Sequence, residues 1–295
     1  MPIEKLESVD AFIVFDLADA PESVGIVRSA RKILPGGASD LARSMTYAFA
    51  TFEMRRSGAS AGINALDDDR ADAVAKFTAE IAPMVGSGRF LPEPGTRVPR
   101  AALKSLADAD PRAAVGDVAD QATVAGVVAA AAQASGGLDG RTAAIEGSGP
   151  IGDALKIAVE ERGGTLVETN GQADVLFAGS KMGAINHAMA EQLQVGTLVP
   201  YSPIPVTARA LAILSRAGIT VVPDFISTAG SLFAWWPTGD PSPEAIAADA
   251  AAKITASIEE IADHPDGLFL AAAYRAESFL ATWQDTLPFG RPLAS

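Results

Sequence analysis

Gly147-Ser148-Gly149-Pro150-Ile151-Gly152 is the segment whose spacing most directly names a chemistry. Glycines at its first, third and sixth places, between a strand and a helix, let backbone amides and the positive end of the helix hold a dinucleotide pyrophosphate. The same glycines suit a tight strand-to-helix turn without a ligand, and spacing alone leaves both readings open. The other candidates are single side chains. GRFLPEPGTRVPR, with three prolines and two glycines, is irregular backbone of the kind that often holds functional side chains. Lys181 follows DVLFAGS, at the strand end where open α/β sheets bind ligands; an exposed helix-start lysine is the plainer reading. His187 and His264 are the only histidines and read as surface or packing residues. Trp235 and Trp236 could line an apolar pocket or pack in a core or dimer contact. Asp67-Asp68-Asp69 reads as a solvated helix start, because adjacent carboxylates point in different directions.

These residues need elements to hold them. The first hundred residues alternate β-type runs (AFIVFDL at 11–17, VGIVRSA at 24–30, SAGINAL at 60–66) with amphipathic helices, one capped at Ser39-Asp40 and one over 70–85. GRFLPEPGTRVPR reads as loop. After Asp120 the texture becomes Ala- and Val-rich: QATVAGVVAAAAQ as a buried helix, strand TAAIEG, helix DALKIAVEERGG, TLVETNG, strand ADVLFAG, helix AINHAMAEQL, strand TLVPYS, helix VTARALAILSRAG and strand TVVPDFI. Such alternation with short links predicts a parallel sheet covered by helices. Two long helices follow from Pro243, separated by DHPDG.

Composition removes several classes of function. With 295 residues, 48% apolar and 20% charged, the chain can bury a core and is not disordered. A net charge of −13 opposes binding to nucleic acid or anionic lipid. The absence of cysteine excludes thiolate nucleophiles, disulfides, iron–sulfur clusters and cysteine zinc sites, and two distant histidines make a metal centre unexpected. Val124 to Ala132 is half the length of a membrane span, and the charged start MPIEKLESVD has no apolar signal core, so a cytoplasmic protein is expected.

Several segments together resemble the glutamate/leucine/phenylalanine/valine dehydrogenase family, through most of residues 36–285. Met45-Thr46-Tyr47 and Gly58-Ala59-Ser60-Ala61-Gly62-Ile63 look like its two substrate-domain motifs. Ala122-Thr123-Val124-Ala125-Gly126-Val127 looks like the entry to its cofactor domain, and Ala173-Asp174-Val175-Leu176-Phe177 through Gly183-Ala184-Ile185 like its fourth strand. Pro205-Val206-Thr207, then Gly218-Ile219-Thr220-Val221-Val222-Pro223-Asp224, then Ala229-Gly230 fall in the family's order and spacing. The resemblance implies an α/β fold of two domains around a cleft. Residues 1–120 would form the substrate- and dimerisation-type domain, with a C-terminal helix at 265–295 packing back on it. Residues 121–260 would form a reduced Rossmann-type domain of parallel strands, truncated after its second strand.

The resemblance also implies roles, and several family groups are replaced. The carboxylate-binding lysine after Met-Thr-Tyr is Ala48, and the lysine of the glycine-rich motif is Ser60, so ordinary amino-acid deamination is not expected. Glu93 takes the place of the catalytic aspartate before Gly95-Thr96; Ser60, Tyr47 and Lys181 would orient the substrate. Gly147, Ser148, Gly149, Pro150, Ile151 and Gly152 would hold the phosphates of NAD or NADP, with Thr123 and Thr228 near the nicotinamide. Two family asparagines are replaced by Pro203 and Thr228, and Glu168 lies near the place of the ribose-binding aspartate. Only Gly171-Gln172-Ala173 separate Asn170 from Asp174, too few for a parallel crossover, so TLVET is expected to turn back as a hairpin at Asn170-Gly171 or to be loop. The expected function is a divergent NAD(P)-dependent oxidoreductase of a small carbonyl, imine or alcohol. The alternative is a pseudoenzyme or non-redox enzyme whose cleft binds another ligand or partner. A homodimer or larger homo-oligomer is expected in either case, with a small-molecule ligand and neither nucleic acid nor membrane as partner.

Overall fold

The computed structural model describes every residue except 170, 288, 289 and 295. The chain divides into two compact units, Met1–Pro111 with Ala276–Pro292, and Arg112–Arg275 with Leu293–Ser295. The seam falls earlier than the change of texture at Asp120 suggests. Arg112 already belongs to the second unit: its guanidinium lies 5.1 Å from the Trp235 ring centroid, and the Ala113 amide donates to the Trp235 carbonyl.

The first unit is a mixed sheet of β1 (Ile3–Lys5), β2 (Ala11–Phe15), β3 (Ser23–Ala30), β4 (Ser57–Asn64) and β5 (Leu91–Pro94), in the order β1-β2-β4-β3-β5. β1 and β2, and β2 and β4, pair antiparallel; β3 is parallel to both β4 and β5. Helices α1 (Pro35–Thr51) and α2 (Arg70–Gly86) and a 3-10 helix (Arg100–Ala109) complete it. The small residues of β4 let α1 lie against the sheet, since a Cβ at Gly58 would stand 1.8 Å from the Ala42 carbonyl oxygen. α1 starts at Pro35, not at the expected Ser39-Asp40 cap, because proline at the first helical place presets φ; Ser39 Oγ instead donates to the Pro35 carbonyl at 3.1 Å. The expected loop at GRFLPEPGTRVPR contains β5. Its two prolines are tolerated because β5 is an edge strand, bonded on one side only.

The second unit is a parallel sheet of β6 (Thr142–Glu146), β7 (Thr165–Leu166), β8 (Gln172–Ala178), β9 (Gln194–Pro200) and β10 (Thr220–Val221), in the order β10-β9-β8-β6-β7. Its helices are α3 (Asp117–Ser135), α4 (Pro150–Glu160), α5 (His187–Ala190), α6 (Ala208–Arg216), α7 (Asp224–Ser227), α8 (Gly230–Trp235), α9 (Pro243–Glu259) and α10 (Gly267–Leu280), the last shared with the first unit. TLVET divides: Thr165–Leu166 is an edge strand, as one alternative expected, but it pairs parallel to β6 and not as a hairpin with β8, which pairs with the other side of β6, and Val167 to Thr169 are irregular chain. The crossover rule applies to full strands, and a two-residue edge strand returns through a short link in which Val167 packs on the core. Asn170, where the hairpin was expected, lies outside the described residues. The helix expected over AINHAMAEQL shrinks to one turn, capped by Asn186 Oδ1 accepting from the Met189 amide at 3.1 Å. TVVPDFI ends as strand at Val221, because Pro223 opens α7. The apolar run at 124–132 is an interior helix, packed so closely that a Cβ at Gly126 would meet Ile254 Cδ1 at 2.4 Å. No described helix is long and apolar enough to cross a membrane.

Candidate functional site

In the second unit the chain leaves β6 toward β7 on one side and reaches β8 on the other, which makes the carboxyl ends of β6 and β8 the topological switch point of the sheet. The glycine turn lies there. Gly147 (φ 107°) and Gly149 (φ 121°) hold backbone conformations closed to other residues, and Pro150 starts α4. Two glycines have a packing reason as well. A Cβ at Gly147 would stand 2.5 Å from Tyr201 Oη and 2.8 Å from Ser180 Cα, and one at Gly152 would stand 3.3 Å from Tyr201 Oη. Tyr201 also covers Gly179, where a Cβ would meet its ring at 2.6 Å. Gly149 differs, because nothing lies within 4 Å of its would-be Cβ. The turn therefore combines a packed floor with one open glycine beside the first turn of a helix.

Three residues missed in the sequence shape this floor. Tyr201, just beyond β9, is 7% exposed, and its hydroxyl donates to the Glu146 carbonyl at 2.8 Å. Burial first, then the carboxylates of Glu146 and Asp153, push its phenol up to about 12. The Glu146 carboxylate accepts from the amides of Gly179 (3.1 Å) and Ser180 (3.0 Å) and from Ser180 Oγ, so its charge is held by three donors at the end of β8. Ser202 Oγ is buried without a hydrogen-bond partner in the loop after β9. An acidic residue directly before the first glycine and a bulky phenol at a strand end were the available signals. The next residue, Lys181, is exposed and makes no described ion pair.

These residues fit a phosphate group. Gly149 leaves the backbone uncovered, and the first-turn amides of α4 have no intrahelical partner, those of Ile151 and Gly152 remaining after Pro150, which has none. The adenosine side is short: the sheet ends at β7, and Glu168 is exposed just past it. Thr123 and Thr228 flank one helix contact, because Gly230 admits α8 against α3; a Cβ there would stand 2.0 Å from the Ala122 carbonyl oxygen and 2.7 Å from Thr123 Cα. Both hydroxyls donate to their own helices, Thr123 to the Ala119 carbonyl (2.8 Å) and Thr228 to that of Asp224 (2.7 Å), leaving their oxygens free to accept. Buried Asp224 accepts from the Ile204 amide at 2.8 Å and fixes a β-branched residue at φ 44°. Strain of this kind persists only where the surroundings enforce it.

In the first unit, Ser60 on β4 and Glu93 on β5 both pair with Ile26 on β3, so they project from one face of the sheet, roughly 10 Å apart across two strand spacings. Ser60 is fully buried and its hydroxyl donates to the Ile26 carbonyl at 3.2 Å. Glu93 is half-buried. Arg28, a further residue missed in the sequence, pairs with Gly62 on the same face; its Nε and Nη2 are buried without partners, and burial lowers its pKa.

Tyr47 is placed differently from the expectation. It is 1% exposed, so it has no surface with which to touch a ligand, and its hydroxyl donates to Glu277 Oε1 at 3.0 Å. Burial, reinforced by Glu277, pushes its phenol far up. Burial alone would raise the Glu277 carboxyl, but hydrogen bonds from Arg291 and Tyr47 outweigh it and hold the group below the usual range. Ala48 is buried in α1. His187 is the exposed first residue of α5, and His264 Nδ1 accepts from the Asp266 amide at 3.2 Å. Trp235 is a core residue, 2% exposed and edge-on to Trp236. Asp67 lies before α2, paired with Arg70 and Arg97.

No protein-family model and no curated sequence matches the chain. Solved structures do. A hetero-hexameric glutamate dehydrogenase from Thermus thermophilus, in a leucine-bound form, aligns over 94% of this chain and 86% of its own with a TM-score of 0.77 and 19% identity. An L-tryptophan dehydrogenase from Nostoc punctiforme aligns over 97% of both chains at 0.70 and 20% identity. Glutamate dehydrogenase from Plasmodium falciparum aligns over 92% of this chain and 77% of its own at 0.73 and 10% identity. The fold is that of the amino-acid dehydrogenases.

Proposed function

We propose that this chain is an NAD(P)-dependent oxidoreductase of a small carbonyl, imine or alcohol substrate, and not an ordinary amino-acid deaminase. The observation that carries the reading is Gly149, uncovered at the switch point of a parallel sheet and beside the first turn of α4. Gly147, Ser148, Gly149, Ile151 and Gly152 would hold the phosphates through their backbone, with Pro150 fixing the start of α4, and Lys181, which makes no ion pair among the described residues, would orient the substrate. Thr123 and Thr228 would accept hydrogen bonds near the nicotinamide. When bound, the nicotinamide would accept or supply hydride. In the first unit, the Glu93 carboxylate would take the proton from the reacting oxygen or nitrogen, and Ser60 would fix the backbone beside it through Ile26. Ala48 and Ser60 supply no positive charge, which argues against stabilising the charged intermediates of amino-acid deamination. Tyr47 would act indirectly, tying α1 to Glu277.

The oligomeric state follows the same reading. Edge strand β1, bonded only to β2 and carrying half-exposed Ile3, supports a homodimer or larger homo-oligomer, and the Thermus neighbour is itself hexameric.

A second reading is favoured by the short β7 edge and by two carboxylates, Glu146 and Asp153, beside the turn. In it the site binds a ligand other than a dinucleotide, as a non-redox enzyme or a pseudoenzyme. Calorimetry with NADH and NADPH decides between them. The first reading expects micromolar binding of at least one; no heat with either leaves the second.

A further inference from the structure

We infer that Glu146 sets the specificity of the glycine turn, so that the site admits a diphosphate esterified at both ends and rejects one that ends in a free phosphate. Glu146 is the last residue of β6, directly before Gly147, and pairs in register with Ala178, the last residue of β8. Its carbonyl is fixed by Tyr201 Oη, which donates to it at 2.8 Å. From there the side chain reaches the two residues that follow β8. The carboxylate accepts from the Gly179 amide at 3.1 Å, from the Ser180 amide at 3.0 Å and from Ser180 Oγ. Successive backbone amides of this kind make a concavity for anions. Here the chain's own carboxylate fills it. The charge stays in place, because all three donors are neutral and no cation pairs with Glu146 among the described residues. Asp153, the other carboxylate beside the turn, is instead offset by Lys156 at 2.8 Å.

The turn and this carboxylate are close. The Ser180 backbone abuts the turn, since a Cβ at Gly147 would stand 2.8 Å from Ser180 Cα. Gly149 lies two residues on, a reach of at most about 7 Å. A phosphate over Gly149 would therefore stand roughly 10 Å from the Glu146 carboxylate. At that separation, with the effective dielectric of about 20 that suits charges near a protein surface, each further charge on the ligand weakens binding roughly tenfold. The filled concavity acts in the same direction, because an added phosphate oxygen meets an acceptor on the β8 side where it would need a donor. A terminal phosphate carries one charge more than an esterified one, its second ionisation lying near about 6. The pyrophosphate of a dinucleotide is closed at both ends and avoids that added repulsion. Glu146 thus separates an intact dinucleotide from nucleoside diphosphates that share half of its structure.

The inference rests on the nucleotide reading of this site, and its test keeps the two apart. The full-length protein is titrated by calorimetry, at a pH of about 8 where the terminal phosphate is fully charged, with NADH, ADP-ribose and ADP. The last two share the adenosine and both phosphates and differ in whether the terminal phosphate is esterified. Wild type is expected to bind ADP-ribose about tenfold more tightly than ADP. Glu146→Gln, which keeps the shape and removes the charge, is expected to shrink that ratio about tenfold, while Glu146→Asp, which keeps the charge, preserves most of it. In wild type the ratio should also fall as salt rises, since the charges stand about one Debye length apart. That measurement holds even if a variant fails to fold, and a merely structural role for Glu146 would not produce it. Equal wild-type affinities for ADP and ADP-ribose, a ratio insensitive to salt, a ratio unchanged in Glu146→Gln, or one lost equally in Glu146→Asp overturns the proposal. Discrimination between ADP-ribose and ADP without NADH binding removes the oxidoreductase reading alone, NADH binding without discrimination removes this inference alone, and no heat with any of the three removes both.

Discussion

Replacing Gly147 and Gly149 separately by alanine distinguishes a packed turn from a ligand cradle. At Gly147 the new Cβ meets Tyr201 Oη at 2.5 Å and Ser180 Cα at 2.8 Å, with φ at 107°. The backbone conformation costs about 1–2 kcal/mol for a non-glycine residue, and overpacking adds about 1–3 kcal/mol. A total of roughly 2–5 kcal/mol is expected for Gly147→Ala, which lowers the melting temperature by roughly 2–4 °C per kcal/mol for a unit of this size. At Gly149 no atom lies within 4 Å, so only the strain of φ 121° and ψ 176° remains, about 1–3 kcal/mol. Its effect should fall on binding, with NADH affinity reduced more than tenfold in a protein that still folds. Tyr201→Phe provides the control. Alone it removes the bond to the Glu146 carbonyl, about 1 kcal/mol. Combined with Gly147→Ala it relieves the closest contact, so the double variant should be more stable than the sum of the singles predicts by at least about 0.5 kcal/mol. Urea denaturation and fluorescence titration read both quantities. Additive effects of Gly147→Ala and Tyr201→Phe would refute the packed floor, and unchanged NADH binding in Gly149→Ala would refute the cradle.

Three further outcomes are expected. Because the Glu277 carboxyl is held below its ordinary value of 4.5, its stabilising contribution is present above that pH and lost as pH falls through the folded value; Glu277→Gln should flatten the acid limb of a stability-versus-pH curve. The phenol of Tyr47 is raised, so its contribution is complete below pH 10.0 and is lost above it as the unfolded chain ionises first; Tyr47→Phe should reduce the alkaline loss, and Tyr201 accounts for part of the remainder. Asp16→Asn leaves Arg43 without the carboxylate that accepts from its Nε at 2.8 and 2.9 Å, and a buried pair broken on one side costs about 3–5 kcal/mol, measurable as a lowered urea midpoint.

Period and punctuation carry most of what was legible in the sequence. Strands β2, β3, β6, β8 and β9 centre on runs of β-branched and apolar residues, β4 is a run of small residues up to Ile63, and the glycine turn stands between a strand and a helix as its spacing indicates. The misread elements are those in which a neighbour overrides local chemistry. β5 is a strand because β3 offers an unpaired edge to a proline-rich segment, and β7 is a strand because β6 does the same for Thr165 and Leu166. No local pattern encodes an edge.

The candidate site divides in the same way. Residue type and order brought forward Lys181 and the segment from Gly147 to Gly152, because glycines and charges keep their meaning along a chain, while Glu93 and Ser60 came from the resemblance to the dehydrogenase family. Register decided that Ser60, Glu93 and Arg28 share one face, and packing decided that Tyr47 is interior while Tyr201 fills the floor of the turn. Whether a side chain is paired, buried or uncovered depends on atoms distant in sequence. Arg28 is written in the chain as one arginine among several, and only the fold buries its Nε and Nη2 without acceptors.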